Sequence, residues 1–153
     1  MKKINHELTE KINSYIKNGK DISELLIGYE IKGYNLSNAI IKKFNRYNED
    51  MSGCMFVNTT IGELGTETNL VGCDFRGSNF KGVHFLGHTI FKNNDARNCN
   101  FNTANLNSFD YSCTDFRGAS FCEAIIKIGS MCGYKAIFDK SILNLLTRGW
   151  IIK

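Results

Sequence analysis

Residues 73–87 read CDFRGSNFKGVHFLG, and they place Phe75, Phe80 and Phe85 five residues apart. A period of five fits neither the 3.6-residue repeat of an α-helix nor the two-residue repeat of a strand. Internal repeats decide architecture before secondary structure does, so the chain is written in fives with the large residue third. From Thr68 it runs TNLVG, CDFRG, SNFKG, VHFLG, then one extra residue, His88. It resumes as TIFKN, NDARN, CNFNT, ANLNS, FDYSC, TDFRG, ASFCE and AIIKI. The third positions are Leu70, Phe75, Phe80, Phe85, Phe91, Ala96, Phe101, Leu106, Tyr111, Phe116, Phe121 and Ile126. All but Ala96 are large and apolar or aromatic. Two positions earlier the residue is usually small, as at Thr68, Cys73, Ser78, Thr89, Cys99, Ala104, Thr114, Ala119 and Ala124.

Backwards the pattern is less regular. CMFVN and TTIGE centre on Phe56 and Ile61, and the following LGTE lacks one residue. Earlier still, YEIKG, YNLSN and AIIKK centre on Ile31, Leu36 and Ile41. FNRYN then centres on Arg46, which breaks the rule, and EDMSG centres on Met51.

The units CDFRG, ANLNS, TNLVG, SNFKG and TDFRG resemble the motif of the pentapeptide-repeat family: a small residue, Asn or Asp, Leu or Phe, and two variable residues. That resemblance implies an all-β solenoid, a right-handed quadrilateral β-helix of about four to five coils, four pentapeptides to a coil. The central residue and the small one two before it would point inward. A single five-residue side cannot bury its one large residue, whereas stacked coils bury a continuous column. Coils would lie about 4.8 Å apart, and each buried Phe or Leu would contribute about 1.5–3 kcal/mol. The expected interior is Leu70, Phe75, Phe80, Phe85, Phe91, Phe101, Leu106, Tyr111, Phe116, Phe121 and Ile126.

Exposed solenoid ends need covering. Over residues 5–18, Leu8, Ile12, Tyr15 and Ile16 fall on one helical face, and Gly19 signals a stop. Near the other end, Asp139 is placed as an N-cap before Ile142, Leu143, Leu145 and Leu146, with Gly149 after them. The expected organisation is a helical cap over 1–25, a repeat region over 26–131, and a C-terminal helix and tail over 132–153. That last segment would act as a cap or would hold a homodimer together.

Composition narrows the function. The chain has 153 residues, 42% hydrophobic and 22% charged, with no proline to interrupt a backbone ladder. It has no long uncharged apolar run, so no membrane span is expected. The opening MKKINHELTEKINSY is charged and lacks the apolar centre of a secretory signal, which points to the cytoplasm. Six cysteines without a CxxC pair then read as reduced thiols. Cys54, Cys73 and Cys99 take the small inward position, Cys113 and Cys122 fall outward, and Cys132 lies past the clear repeat. His6, His84 and His88 share no zinc-like spacing with them, so no metal or other cofactor is expected. No phosphate loop, nucleophile elbow or HExxH is present. Carboxylates such as Asp110 and Glu123 would sit on a convex wall, and a tube packed with phenylalanine has no substrate cavity. An enzyme is therefore not expected.

Stacking converts sequence into surface. With residues about twenty apart superposed, and one extra step at His88, CDFRG, NDARN and TDFRG share a face. Asp74, Asp95 and Asp115 then form one column, with Arg76, Arg97 and Arg117 beside it. This strip is either a solvated charge ladder or a docking face for a protein. Lys81, Lys92 and Lys127 read as ordinary surface lysines.

Three functions follow. The first is a non-catalytic scaffold whose outer faces bind a protein. Family resemblance suggests the second, because some members, including those linked to quinolone resistance, mimic DNA and occupy type II topoisomerases such as DNA gyrase. Electrostatics oppose it here. Five coils would span roughly 24 Å, over which DNA presents about fourteen charges, whereas residues 51–126 hold seven acids against five bases. Direct nucleic-acid binding through the arginine column is the third, opposed by the interleaved aspartates.

Overall fold

The computed structural model describes residues 2–46, 49, 51–65, 68–85, 89–106, 109–126 and 135–142. Strand β1 (Lys2–Lys3) leads into helix α1 (His6–Lys17) and a 3-10 turn (Ser23–Leu26). Then come β2 (Tyr29–Glu30), β3 (Ile40–Phe44), β4 (Thr60–Leu64), β5 (Thr89–Ile90), β6 (Asn105–Leu106), β7 (Phe109–Asp110) and β8 (Ile125–Ile126). Every pairing is parallel, joining β1 to β2, β3 to β4, β5 to β7 and β6 to β8. The molecule is a β solenoid.

Single-residue bridges complete the ladders. One ladder runs Asn35, Met55, Asp74, Asp95, Asp115, Ile137, and a second runs Asp21, Ile40, Thr60, Asn79, Asn100, Ser120. A third joins His84 and Asn105 to Ile125, and a fourth joins Asn69 and Ile90 to Asp110. The sequence step along them ranges from nineteen to twenty-two. It is nineteen from Met55 to Asp74 and from Thr60 to Asn79, across the residue missing after Gly65, and twenty-one from Asp74 to Asp95 and from Asn79 to Asn100, across the one inserted before Thr89. At the two ends it is nineteen from Asp21 to Ile40 and twenty-two from Asp115 to Ile137.

Each position of the five-residue unit has a physical task. The central side chain fills the interior: Leu70, Phe75, Phe80, Phe85, Phe91, Phe101, Leu106, Tyr111, Phe116 and Phe121 are buried, while Ile126 is half-buried against the core. Two residues earlier, a small hydroxyl or thiol donates to a carbonyl of the coil before. Thr59 Oγ1 reaches Leu36 O at 3.0 Å, Thr114 Oγ1 reaches Phe91 O at 2.6 Å, and Cys99 Sγ reaches Phe75 O at 2.9 Å. Cys54, Cys73 and Ser78 do the same. The Asn or Asp before the central residue accepts the backbone N–H two residues on, as in Asn79 to Lys81 and Asn100 to Asn102, a local bond its short side chain can reach.

The fifth position makes the corner. Phe75 to Ser78 closes a turn through Ser78 N–H to Phe75 O at 2.9 Å, with Gly77 at φ 68°. A type II turn requires positive φ there, which Gly adopts freely and Asn tolerates. Asn98 fills the same place one coil later at φ 60°. Thr103, Cys113 and Glu123 are forced into it at 59°, 57° and 56°. Strands β3 and β4 omit this turn and stay extended for five residues.

Helix α1 begins where Asn5 accepts the Leu8 N–H, and it buries Leu8 and Ile12, with Tyr15 and Ile16 packed alongside. Backbone pairing reaches into both terminal segments. Asp21 already bridges Ile40, and β1 already pairs with β2, so repeat-like pairing starts before residue 26. It also runs past 131, because Asp115 bridges Ile137 and Phe138 stacks on Phe116 at 4.9 Å. Among the described residues no helix is long and apolar enough to cross a membrane.

Candidate interaction face

The first ladder brings the two predicted charge columns together. Its regular rungs hold the backbones of Asp74, Asp95 and Asp115 in register, and the alternation of the chain turns their side chains outward. Each aspartate accepts its own arginine's backbone N–H, at 3.1, 3.3 and 3.1 Å. That local bond brings the guanidinium alongside. Arg76 Nε and Nη2 lie 2.9 and 2.7 Å from the Asp74 carboxylate, Arg97 at 2.8 and 2.7 Å from Asp95, and Arg117 at 3.0 and 2.6 Å from Asp115. The fork is side-on in all three. Diagonal contacts to the next coil are looser, 3.7 Å for Arg76 to Asp95 and 4.0 Å for Arg97 to Asp115.

These pairs shift ionisation as their geometry requires. The Arg76 hydrogen bond holds the Asp74 carboxyl below its ordinary value, and Arg117 does the same for Asp115. Each guanidinium is in turn raised by its aspartate. Elsewhere Lys92 Nζ sits 2.8 Å from Asp110. Burial of Asp110 works against its charge, but the Lys92 and Ser112 hydrogen bonds prevail and lower its pKa. Lys92 is thus an ion-pair partner, while Lys127 lies outside the described residues.

The thiols divide as their positions dictate. Cys54, Cys73 and Cys99 are buried, Cys113 and Cys122 are exposed, and Cys132 lies outside the described residues. Burial pushes the Cys99 thiol up to about 12, which makes it an inert packing group. No group of three His, Cys, Asp or Glu among the described residues could hold a metal ion.

For two residues that the sequence singled out, the contacts escaped its reading. Arg46, the break in the repeat, is buried in an interior place. Its Nη1 binds Tyr29 O at 2.9 Å and Glu49 Oε2 at 2.7 Å, and its Nη2 binds Leu26 O at 2.6 Å. Beside it lies a cleft of about 370 Å³ lined in part by Ser23, Ile27, Lys43 and Glu49. The signal was the charge at a core position, but its partners lie in an irregular segment with no periodicity to read. Asp139 is the second. Besides preceding the helical residues 140–142, its Oδ2 accepts the Gly118 N–H at 2.7 Å, tying this segment to the previous coil. The expected helix beyond 142 and its dimer role lie outside the described residues.

A family model described as pentapeptide repeats (eight copies) matches residues 66–90. No curated protein matches the chain. Among solved structures, it is similar to a pentapeptide repeat protein from the thylakoid lumen of Arabidopsis thaliana. That match has 14% identity and a TM-score of 0.32, covers 74% of this chain, and spans 64% of the other's length. QnrB1, a plasmid-mediated fluoroquinolone resistance protein, matches at 13% identity and a TM-score of 0.25 over 78% of this chain and 82% of its own. Residues 66–90 thus match pentapeptide repeats, and the same five-residue units run through the parallel ladders on either side of them.

Proposed function

We propose that this protein is a non-catalytic scaffold that binds a protein partner through its outer faces, with Asp74, Arg76, Asp95, Arg97, Asp115 and Arg117 as the docking strip. The coils close as a right-handed quadrilateral β-helix of about four to five coils, with residues 1–25 and 132–153 serving as its caps, in the cytoplasm. The observation that carries this reading is the register of six charged side chains in two columns over three successive rungs. Such a strip is flat, rigid and already hydrogen-bonded, so little side-chain entropy is lost when a partner docks.

Mimicry of DNA at a type II topoisomerase such as DNA gyrase finds less support, because every aspartate of the strip is matched by an arginine. Direct nucleic-acid binding is weakened by the same pairing.

An affinity pull-down compares the native chain with an Arg76→Ala, Arg97→Ala, Arg117→Ala variant of unchanged circular dichroism. At least one partner should be lost with the arginines; equal recovery of every partner overturns the reading. Inhibition of gyrase supercoiling by the native protein would instead favour mimicry.

A further inference from the structure

We propose that the charged strip pairs two copies of this chain side by side, coil axes parallel, about a two-fold axis along the coil direction. This rests on the reading of the strip as a docking surface and names its occupant as a second copy. The side-on fork is the starting point. Each arginine spends Nε and Nη2 on its own aspartate, and among the described residues Nη1 has no hydrogen-bond partner in any of the three. The strip therefore offers a row of three Nη1 groups at the rung pitch, about 4.8 Å. These side chains are 50%, 41% and 56% exposed, and the aspartates beside them 24%, 32% and 19%.

The matching partner carries acceptors at the same pitch. Phosphates along one DNA strand recur every 3.4 Å of axis, about 1.4 Å short per step, and the error grows along the row. The chain's own aspartate column matches by construction. A two-fold axis along the coils exchanges the two columns and leaves every rung at its height. Each Arg76, Arg97 and Arg117 then faces an Asp74, Asp95 or Asp115 of the other copy. Turning the copy end over end would set aspartate against aspartate. One rung below the charges, Met55 is 41% exposed and Val57 is half-buried on the same face, and the same axis brings them together. Three charged rungs and one apolar rung fall short of the roughly 800 Å² per partner of a standard interface, so the pairing is weak and salt-sensitive.

Sedimentation equilibrium of the full chain at low and high salt tests this. The expected result is a concentration-dependent monomer–dimer equilibrium at low salt that is lost at high salt. An acidic variant (Arg76→Glu, Arg97→Glu, Arg117→Glu) should be monomeric alone. It should pair with a basic one (Asp74→Lys, Asp95→Lys, Asp115→Lys) when the two are mixed. The acidic variant keeps the aspartate hydrogen bonds to the backbone, so it decides the matter even if the basic variant does not fold. A native chain that stays monomeric at low salt overturns the proposal, as does a dimer indifferent to the arginine replacements. A monomeric native chain that still loses a pull-down partner with its arginines removes self-pairing alone and leaves the docking strip standing.

Discussion

The coils before Gly65 and those after Thr68 solve the same packing problem with different side chains. Before the break the interior is mostly aliphatic: Ile22, Leu26, Ile31, Leu36, Ile41, Met51 and Ile61. After it the interior is aromatic and stacked. Phe80, Phe101 and Phe121 lie nearly parallel, with ring centroids 5.0 and 5.2 Å apart. That spacing is close to the coil pitch and falls in the favoured range for offset rings, so the fold and the aromatic stack reinforce each other. Aliphatic packing imposes no such pitch. The early coils accommodate a 3-10 turn, two five-residue strands and a buried arginine, whereas the later ones keep a turn at nearly every fifth residue. The Asp/Arg strip occupies the regular half, where rungs repeat closely enough to hold charges in line.

The aromatic half absorbs even its own exception. Ala96 leaves a gap in the column between Phe75 and Phe116, and Phe91 leans in from the adjoining face. Phe91 stacks 5.0 Å from Phe75 and 6.3 Å from Phe116.

If stacking carries the later coils, removing its centre has the largest effect. Phe101→Ala should cost about 3–5 kcal/mol, and Phe101→Asp should abolish cooperative thermal unfolding followed by circular dichroism. An unaltered transition in Phe101→Asp would show that no such interior exists. The early half is challenged at Arg46. Arg46→Ala leaves Glu49 and two carbonyls without their donor and should cost about 3–5 kcal/mol in urea unfolding. Arg46→Met, which restores an apolar side chain, should cost clearly less. Equal losses would mean the charge itself is required there.

Smaller effects follow from the corners. Glu123→Gly relieves a left-handed conformation and should stabilise by about 1 kcal/mol, read as a raised thermal midpoint. The same replacement at Lys43, in an extended strand, should destabilise instead. Smallest is the acid limb. The folded pKa values of Asp74 and Asp115 lie below 3.8, so their contribution is complete above that value and fades as pH falls through the folded values. Stability of the native chain should therefore fall below about pH 4. The arginine-to-alanine triple variant should show a flatter decline in that window, and salt should shrink the difference.

By itself the sequence determined the period of five, the residues that face inward and the coils in which the register slips. It did so because the covalent alternation of the chain sets side-chain direction, and one residue gained or lost shifts all that follow. The same reasoning put Asp74 to Arg117 on one face before any contact was known. It did not read the fifth position, although Gly77 and Asn98 mark it, because a positive φ has no hydrophobic signature. Tertiary structure alone decided that Phe91 fills the space above Ala96, that Arg46 is held by Leu26, Tyr29 and Glu49, and that the arginines fork side-on. Each depends on the space and free hydrogen-bonding groups left where segments distant in the chain meet, which no local pattern records.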